Sequence, residues 1–105
     1  MQQENRKVQS MQLKEQLDNL MTAIKSDNWT DYINLFNEDN MLPHFMLNNI
    51  NYPLHVAAEF GRMRMVKHMV EEASVDVNAQ CNITGYTPLM YAAQTTHQDV
   101  VDYLS

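Results

Sequence analysis

The 105-residue sequence has two glycines and one cysteine, and each shortage excludes a structural feature. With only Gly61 and Gly85, the chain cannot form a glycine-rich loop that cradles phosphate. The single cysteine, Cys81, excludes an internal disulfide and suits a reducing compartment. No long apolar run follows the first residues, so we expect neither a secretory signal nor a membrane span, and a cytoplasmic location.

Positive charge is also scarce. The sequence has 13 acidic residues against 7 basic ones, a formal net charge of −6, and no cluster of Lys or Arg. Because phosphate groups are bound by concentrated positive charge, nucleic acid and anionic membranes are disfavoured as partners.

The sequence also lacks the residue patterns that are typical of metal sites and catalytic sites. The histidines stand at positions 44, 55, 68 and 97, and no two have the short spacing of a zinc site. His55 and Glu59 share a helical face without forming the His-Glu-x-x-His motif, and Cys81 is expected on an exposed hairpin without a basic neighbour. We therefore predict that the protein is not an enzyme and has no catalytic, metal or cofactor site.

What the sequence does contain is an internal repeat. The segment 52–62 reads Tyr-Pro-Leu-His-Val-Ala-Ala-Glu-Phe-Gly-Arg, and 35 residues later the segment 87–97 reads Thr-Pro-Leu-Met-Tyr-Ala-Ala-Gln-Thr-Thr-His. A spacing shared across that many apolar positions is typical of stacked supersecondary units.

These segments resemble the ankyrin repeat, a β-turn followed by two antiparallel helices, with the usual pattern Gly-x-Thr-Pro-Leu-His-x-Ala-Ala-x-x-Gly-His. The resemblance implies an all-α fold, an ankyrin-repeat solenoid of antiparallel helix pairs joined by β-turn hairpins. We expect helices near 12–26, 29–37, 53–60, 63–72, 88–94 and 98–104, with at most short hairpin bridges.

Particular residues have physical roles in such a unit. Pro53 and Pro88 should open the first helix of each repeat, since proline loses nothing by lacking an amide hydrogen there. The pairs 57–58 and 92–93 are alanines that let neighbouring helices approach closely. Gly61 can take the left-handed conformation that ends a helix, whereas Thr96 at the equivalent place would be strained.

This sequence departs from the family pattern in two features, the hairpins and the paired Thr and His. Gly85 can supply the positive φ of the second hairpin, and Asn49 is the expected substitute in the first. Neither repeat keeps both partners of the Thr–His hydrogen bond, because position 52 is Tyr and position 90 is Met. Both losses suggest marginal stability.

The N-terminal third is predicted to be a degenerate capping repeat. Residues 17–36 align with the first clear repeat at an offset of 34, so Leu20 falls on Leu54. We divide the chain into a polar N-terminal segment at 1–11 that can extend the first helix, the capping repeat at 12–48, a repeat at 49–83 and an incomplete repeat at 84–105. The stretch before the first hairpin is predicted to be a loop, since Pro43 disfavours helix at the residue before it.

The resemblance implies a module that binds a protein partner through hairpin tips and a concave helix surface. Carried over position by position, it nominates Phe60, Tyr86, Glu59, Gln94, Thr95, Ile83, Thr84, Asn48, Asn49 and Asn51, with the two aromatics as the sharpest candidates. The interpretations left open are an adaptor, an effector of an intracellular bacterium acting in the host cytosol, and the N-terminal binding domain of a longer enzyme.

The C-terminal end carries one more expectation. Leu89, Val100, Val101 and Leu104 should leave apolar surface that a further repeat would cover. The sequence is consistent with the N-terminal portion of a longer ankyrin-containing protein, or with a short chain completed by a partner or by self-association through this face.

Overall fold

The computed structural model describes the backbone of residues 2–105 and the side chains of residues 12–105. Within this part of the chain the fold is all-helical, with the helices arranged as three antiparallel pairs. The helices are α1 (Gln2–Lys25), α2 (Trp29–Glu38), α3 (Pro53–Glu59), α4 (Met63–Glu71), α5 (Pro88–Gln94) and α6 (Gln98–Leu104). The predicted fold class is confirmed, and the five helices from α2 onward agree with the expected bounds to within a residue.

Two segments add to the expected helices. Helix α1 begins at Gln2 and has 24 residues, so it is about 36 Å long and includes residues of the N-terminal segment that was expected to be able to extend it. The predicted loop after α2 contains a single 3-10 turn at Leu42–His44. Pro43 lies in its first turn, where an amide hydrogen would have no helical partner, so proline costs no hydrogen bond there. The turn buries Leu42 and Pro43 between α1, α2 and α3.

The first helix of each pair ends on a residue in the left-handed conformation. Asp27, Gly61 and Thr96 have φ values of 57°, 69° and 61°. In each case the amide of the left-handed residue donates to the carbonyl three residues earlier, and the next amide donates five residues back, as in Asp27 to Ile24. The expected left-handed conformation of Gly61 and strain at Thr96 are both present, and Asp27 adds a third example.

Small residues lie where the helix pairs stack. Ala57, Ala58 and Ala92 are fully buried, and α3 packs on α1 on one side and α5 on the other. Ala93 is exposed, so only one alanine of the second pair lies in a helix contact. One apolar core runs through the three pairs, and Val100 belongs to it. The expectation that Val100 leaves wet apolar surface is therefore wrong, because this side of α6 faces the core.

The hairpins between the pairs are short and tied to each other. The first is closed by an isolated antiparallel bridge between Leu47 and Asn51, with Asn48 and Asn49 at φ 52° and 57°. Two consecutive positive φ values are those of a type I′ turn, so both asparagines replace the glycine of the family pattern. The Asn82 amide donates to the Ile50 carbonyl at 2.8 Å, which joins the second hairpin to the first.

Each of the two clear repeats keeps half of the reciprocal cap at its first helix. In α3 the Tyr52 amide donates to Nδ1 of His55 at 3.1 Å, and in α5 the Oγ1 of Thr87 accepts from the Met90 amide at 3.3 Å. His55 is fully buried and its Nε2 lies 2.9 Å from the carbonyls of Ala79 and Tyr86. His55 is therefore the neutral tautomer with its proton on Nε2, and it fastens the second hairpin to α3.

A second histidine links α2 to α4. The hydroxyl of the fully buried Tyr32 lies 2.8 Å from Nδ1 of His68. The rings of Trp29, Tyr32 and Phe36 all lie perpendicular to the His68 imidazole. Burial lowers the pKa of His68, with Glu72 opposing the shift.

Candidate functional site

A groove lies between α1, the first hairpin and the end of α3. We call it the α1–hairpin groove, and its cavity has a volume of about 270 Å³. It is lined by Met21, Lys25, Leu47, Asn48, Ile50, Asn51, Val56, Glu59 and Phe60. The lining combines apolar side chains with a few amides and one charge of each sign, a composition common in sites that bind polypeptide or small organic groups.

A second recess continues this groove toward the start of α1. The outer recess, of about 480 Å³, is lined by Leu13, Lys14, Leu17, Asp18, Met46, Asn48 and Asn49. It meets the α1–hairpin groove at Asn48. Leu13, Leu17, Met21 and Lys25 follow one another at four-residue spacing and so form a single line along α1. The two recesses therefore make one path of about 18 Å beside this helix.

The structure brings four of the ten nominated residues to this groove. Asn48, Asn51, Glu59 and Phe60 all line it. Asn51 is also part of the framework, since its carbonyl accepts from the Leu47 amide and its Oδ1 lies 3.3 Å from the Tyr91 hydroxyl.

Asn49 lines the outer recess and fixes the hairpin tips. Its carbonyl accepts from Nδ2 of Asn82 at 2.9 Å, beside the backbone bond between Asn82 and Ile50. The two tips are therefore joined by two hydrogen bonds.

The remaining nominated residues lie outside the groove. Thr84 and Thr95 bond within their own turns, Thr84 through Cys81 and Thr95 through the Tyr91 carbonyl at 2.8 Å. Tyr86 packs its ring edge-on against Tyr91. Ile83, at 73% exposure, projects from the second tip, and Gln94 is exposed at the end of α5.

Cys81 departs from its predicted position. It was expected on an exposed hairpin, but the side chain is only 3% exposed, with Sγ 2.7 Å from Oγ1 of Thr84 and 3.5 Å from the Tyr91 hydroxyl. Burial raises the pKa of the Cys81 thiol, but hydrogen bonds led by those of Thr84 and Tyr91 outweigh it and lower the pKa to about 6. Gly85, at φ 73°, supplies the positive φ expected of the second hairpin.

Two cations flank the aromatic ring of the groove. Nζ of Lys25 and the guanidinium carbon of Arg62 each lie 5.8 Å from the centroid of the Phe60 ring. Arg62 also donates from Nε to the Ile24 carbonyl at 2.9 Å and from an Nη to the Lys25 carbonyl at 2.6 Å. It thereby adds a second hydrogen bond to the Ile24 carbonyl, which already accepts from the Asp27 amide, and a bond to the Lys25 carbonyl at the C-terminus of α1.

Sequence reasoning missed Met21, Lys25 and Ile50 as groove residues. The alignment at an offset of 34 places Met21 on His55 and Lys25 on Glu59, so the nomination of Glu59 could have been extended to Lys25. Ile50 stands between two nominated asparagines, and a large apolar residue at a hairpin tip was the available signal. It is 37% exposed.

The residues that the structure describes contain neither a metal-ligating cluster nor a membrane-spanning helix. Among them, no three His, Cys, Asp or Glu side chains cluster as a metal site would require. No helix in that part of the chain combines the length and apolar character needed to span a bilayer.

The family model of ankyrin repeats in three copies matches residues 20–105. The chain belongs to the ankyrin-repeat family. The match begins within α1 and extends over all three helix pairs. Ankyrin repeats generally serve as protein–protein interaction modules and are typically non-enzymatic.

Relatives of known sequence match about half of this ankyrin chain. Alpha-latrocrustotoxin-Lt1a of Latrodectus tredecimguttatus is 46% identical over 52 residues, which is 50% of this chain and 4% of the toxin. Ankyrin repeat and SAM domain-containing protein 3 of Homo sapiens is 41% identical over 51 residues, 49% of this chain and 8% of the human protein. The matched segment thus spans less than a tenth of the length of either relative.

A solved structure has the same fold. It is that of a predatory endopeptidase of Bdellovibrio bacteriovorus in complex with an immunity protein, in which one chain superposes with a TM-score of 0.74 at 23% identity. The match covers 82% of this ankyrin chain and 44% of that one. At this identity the likeness supports the fold alone.

Proposed function

We propose that this ankyrin-repeat protein binds a protein partner in the α1–hairpin groove and the outer recess, with a segment of the partner lying beside α1. The observation that carries the proposal is the continuous path along the line of Leu13, Leu17, Met21 and Lys25, bounded on its other side by the first hairpin. The nominated residues on the second hairpin and at the end of α5 serve as a further contact surface.

The chemistry of the groove favours a polypeptide. Its apolar side chains can bury apolar side chains of the partner, and the amide groups at the hairpin tip can bond to a backbone. Lys25 and Glu59 supply one charge of each sign, so the groove does not select a highly charged ligand. Ile50 and Phe60 are the expected centres of binding energy, because large apolar and aromatic side chains dominate interfaces.

The groove supports binding of a protein, and the adaptor is the interpretation that we propose. The effector interpretation and the N-terminal domain of a longer enzyme stay predictions from the sequence. A single cysteine supports an intracellular location for the adaptor.

Site-specific crosslinking tests the proposal. A photoreactive amino acid is placed at position 50 in the groove and, as a control, at position 41, where the exposed Met41 lies outside both recesses. Each protein is irradiated in an extract of the cells from which it comes, and the adducts are identified by mass spectrometry. We expect a discrete protein adduct from position 50 and none from position 41.

The captured partner is then titrated by calorimetry against matched variants. Ile50→Asp should weaken binding at least about tenfold, since it places a charge in a desolvated apolar contact, whereas Met41→Asp should leave the affinity unchanged. Equal crosslinking from both positions, or equal losses of affinity, would show that the groove is not the binding site.

A further inference from the structure

A further cavity lies between the loops that follow the second helices of the first two repeats. We call it the loop cavity, and its volume is about 160 Å³. It is lined by Pro43, His44, Tyr52, Leu54, Val75, Asp76 and Ala79, and none of these residues lines the α1–hairpin groove or the outer recess. Because sites for small molecules usually have about 300 Å³ or more, this cavity has room for one side chain rather than for a whole cofactor.

Hydrogen bonds between separate segments hold the walls of the loop cavity in place. Nε2 of His44 donates to the Ala73 carbonyl at 2.8 Å, which joins the loop of the first repeat to the loop of the second. Nε2 of the buried His55 lies 2.9 Å from the Ala79 carbonyl and joins the second loop to α3. The walls are therefore ordered before a ligand arrives, and little conformational entropy is lost when one binds.

The charge at the loop cavity is negative. Asp76 is exposed at the rim, where its Oδ1 accepts from the Asn78 amide at 2.9 Å, so its Oδ2 remains for a ligand. The two loops, residues 39–44 and 72–79, contain Asp39, Glu72 and Asp76 but no Lys or Arg. The potential at the cavity therefore favours a ligand with a positive charge.

The aromatic wall of the loop cavity comes from Tyr52, where the third repeat has Thr87 and the family pattern also has Thr. The half-buried Tyr52 ring stacks on the His55 imidazole, with the ring centroids 6.0 Å apart, and lines the cavity. Pro43 and Leu54 are buried beneath it and supply apolar surface. An aromatic ring, an apolar floor and a carboxylate together suit a cation on an aliphatic stem.

We propose that the loop cavity binds the side chain of a lysine on a protein partner. The methylene groups of this lysine contact Pro43 and Leu54. Its ammonium group lies against the Tyr52 ring and donates to Oδ2 of Asp76. Because only one carboxylate oxygen remains available, the two parallel bonds that hold an arginine cannot form, and a compact ammonium group is the better fit. The site is separate from the α1–hairpin groove, so either can fail without the other.

Nuclear magnetic resonance tests the proposal with a small probe. N-acetyl-lysine N-methylamide, the capped lysine, is titrated to about 50 mM into the ¹⁵N-labelled chain at constant ionic strength, and amide chemical shifts are recorded. Capped norleucine has a similar stem without the ammonium group, and capped arginine carries a guanidinium. We expect saturable shifts at His44, Val75 and Ala79 with capped lysine, weaker binding of capped arginine and no saturation with capped norleucine. The amides of Ile50 and Phe60 in the groove should not shift.

Variants separate the contributions of the charge and of the ring. Asp76→Asn keeps an acceptor for the Asn78 amide but removes the charge, and it should weaken binding of capped lysine about threefold or more. Asp99→Asn is the matched control, because Asp99 is also exposed and its Oδ1 also accepts a backbone amide, that of Val100, so the affinity should not change. Tyr52→Thr should weaken binding by a similar factor to Asp76→Asn, whereas Tyr52→Phe should retain it.

Four outcomes would overturn the proposal. The first is the absence of saturable shifts at the residues that line the loop cavity. The second is equal binding of capped norleucine and capped lysine, and the third is equal affinity of the Asp76→Asn and Asp99→Asn variants. The fourth concerns the source of the amine. Butylamine carries the same charge as capped lysine, so tighter binding of butylamine would assign the cavity to a free alkylamine instead of a protein side chain.

Discussion

A β-carbon on Gly61 would clash with the His97 ring, whereas one on Gly85 would meet no atom within 4 Å. Both residues have positive φ, of 69° and 73°, so replacing either by alanine should cost about 1–2 kcal/mol for the left-handed backbone. Gly61→Ala should cost about 1–3 kcal/mol more, because the ring or the repeat that carries it must move. Urea denaturation of the two variants measures the difference, and equal losses would mean that the ring does not press on Gly61.

The fully buried His55 and the half-buried His68 make stability depend on pH, and the Cys81 thiol acts in the same direction because its pKa is lowered to about 6. Burial lowers the pKa of His55, against hydrogen bonds to the carbonyls of Tyr86 and Ala79, and burial also lowers the pKa of His68. The unfolded chain therefore binds more protons than the folded one once pH falls below about 6.5. We expect the free energy of unfolding to decrease as pH goes from 7.5 to 5.5.

Urea midpoints across this range test the dependence on pH. A His68→Gln variant removes the contribution of His68, so its midpoint should fall less steeply with decreasing pH. A wild-type midpoint that is constant or rises toward pH 5.5 would contradict the prediction.

At the scale of the helix, the distance between stacked first helices is set by alanine. Ala57 in α3 and Ala92 in α5 are fully buried in a stack in which α3 packs on α1 on one side and on α5 on the other, and Ala93 is exposed. Leucine at either buried position adds three heavy atoms to a filled contact, which should cost about 1–3 kcal/mol. Ala93→Leu should change stability by no more than about 0.5 kcal/mol. Chemical denaturation distinguishes these cases, and losses as small as that of Ala93→Leu would place the stacking contact elsewhere.

The positions of the helices were predictable because the residues that indicate them lie within each repeat. Pro53 and Pro88 fix the starts of α3 and α5, and the offset of 34 or 35 residues locates the rest. The structure departs from prediction where contacts made in the folded chain determine whether a side chain is buried. The burial of Cys81 depends on Thr84 and Tyr91, and the burial of Val100 depends on which face of α6 meets the core.

The residues of the candidate site also divide into those that the sequence predicted and those that it missed. Asn48, Asn51, Glu59 and Phe60 were nominated by position within a repeat, and they do meet in one groove. Ile50 and Lys25 were missed because their contribution comes from the approach of the first hairpin to α1. That approach joins parts of two repeats, and a pattern read within one repeat does not contain it.

At the scale of the whole molecule, one apolar core extends from Leu20 in α1 to Val100 in α6. Repeat proteins couple through contacts between neighbours, and with three repeats every contact is essential to the stack. We therefore expect unfolding in a single transition. The fluorescence of Trp29, which reports on the first repeat, should change at the same urea concentration as the circular dichroism at 222 nm. Separate midpoints would show that the first repeat unfolds independently.

The hydrogen bonds between the hairpin tips have a consequence for the thermodynamics of binding. Asn82 bonds through its amide to Ile50 and through its side chain to Asn49, so the wall of the groove is already held in place in the free protein. A receptor that is ordered beforehand loses little conformational entropy when its ligand arrives. The heat-capacity change on association should therefore report the apolar surface removed from water, with no added contribution from folding of the receptor.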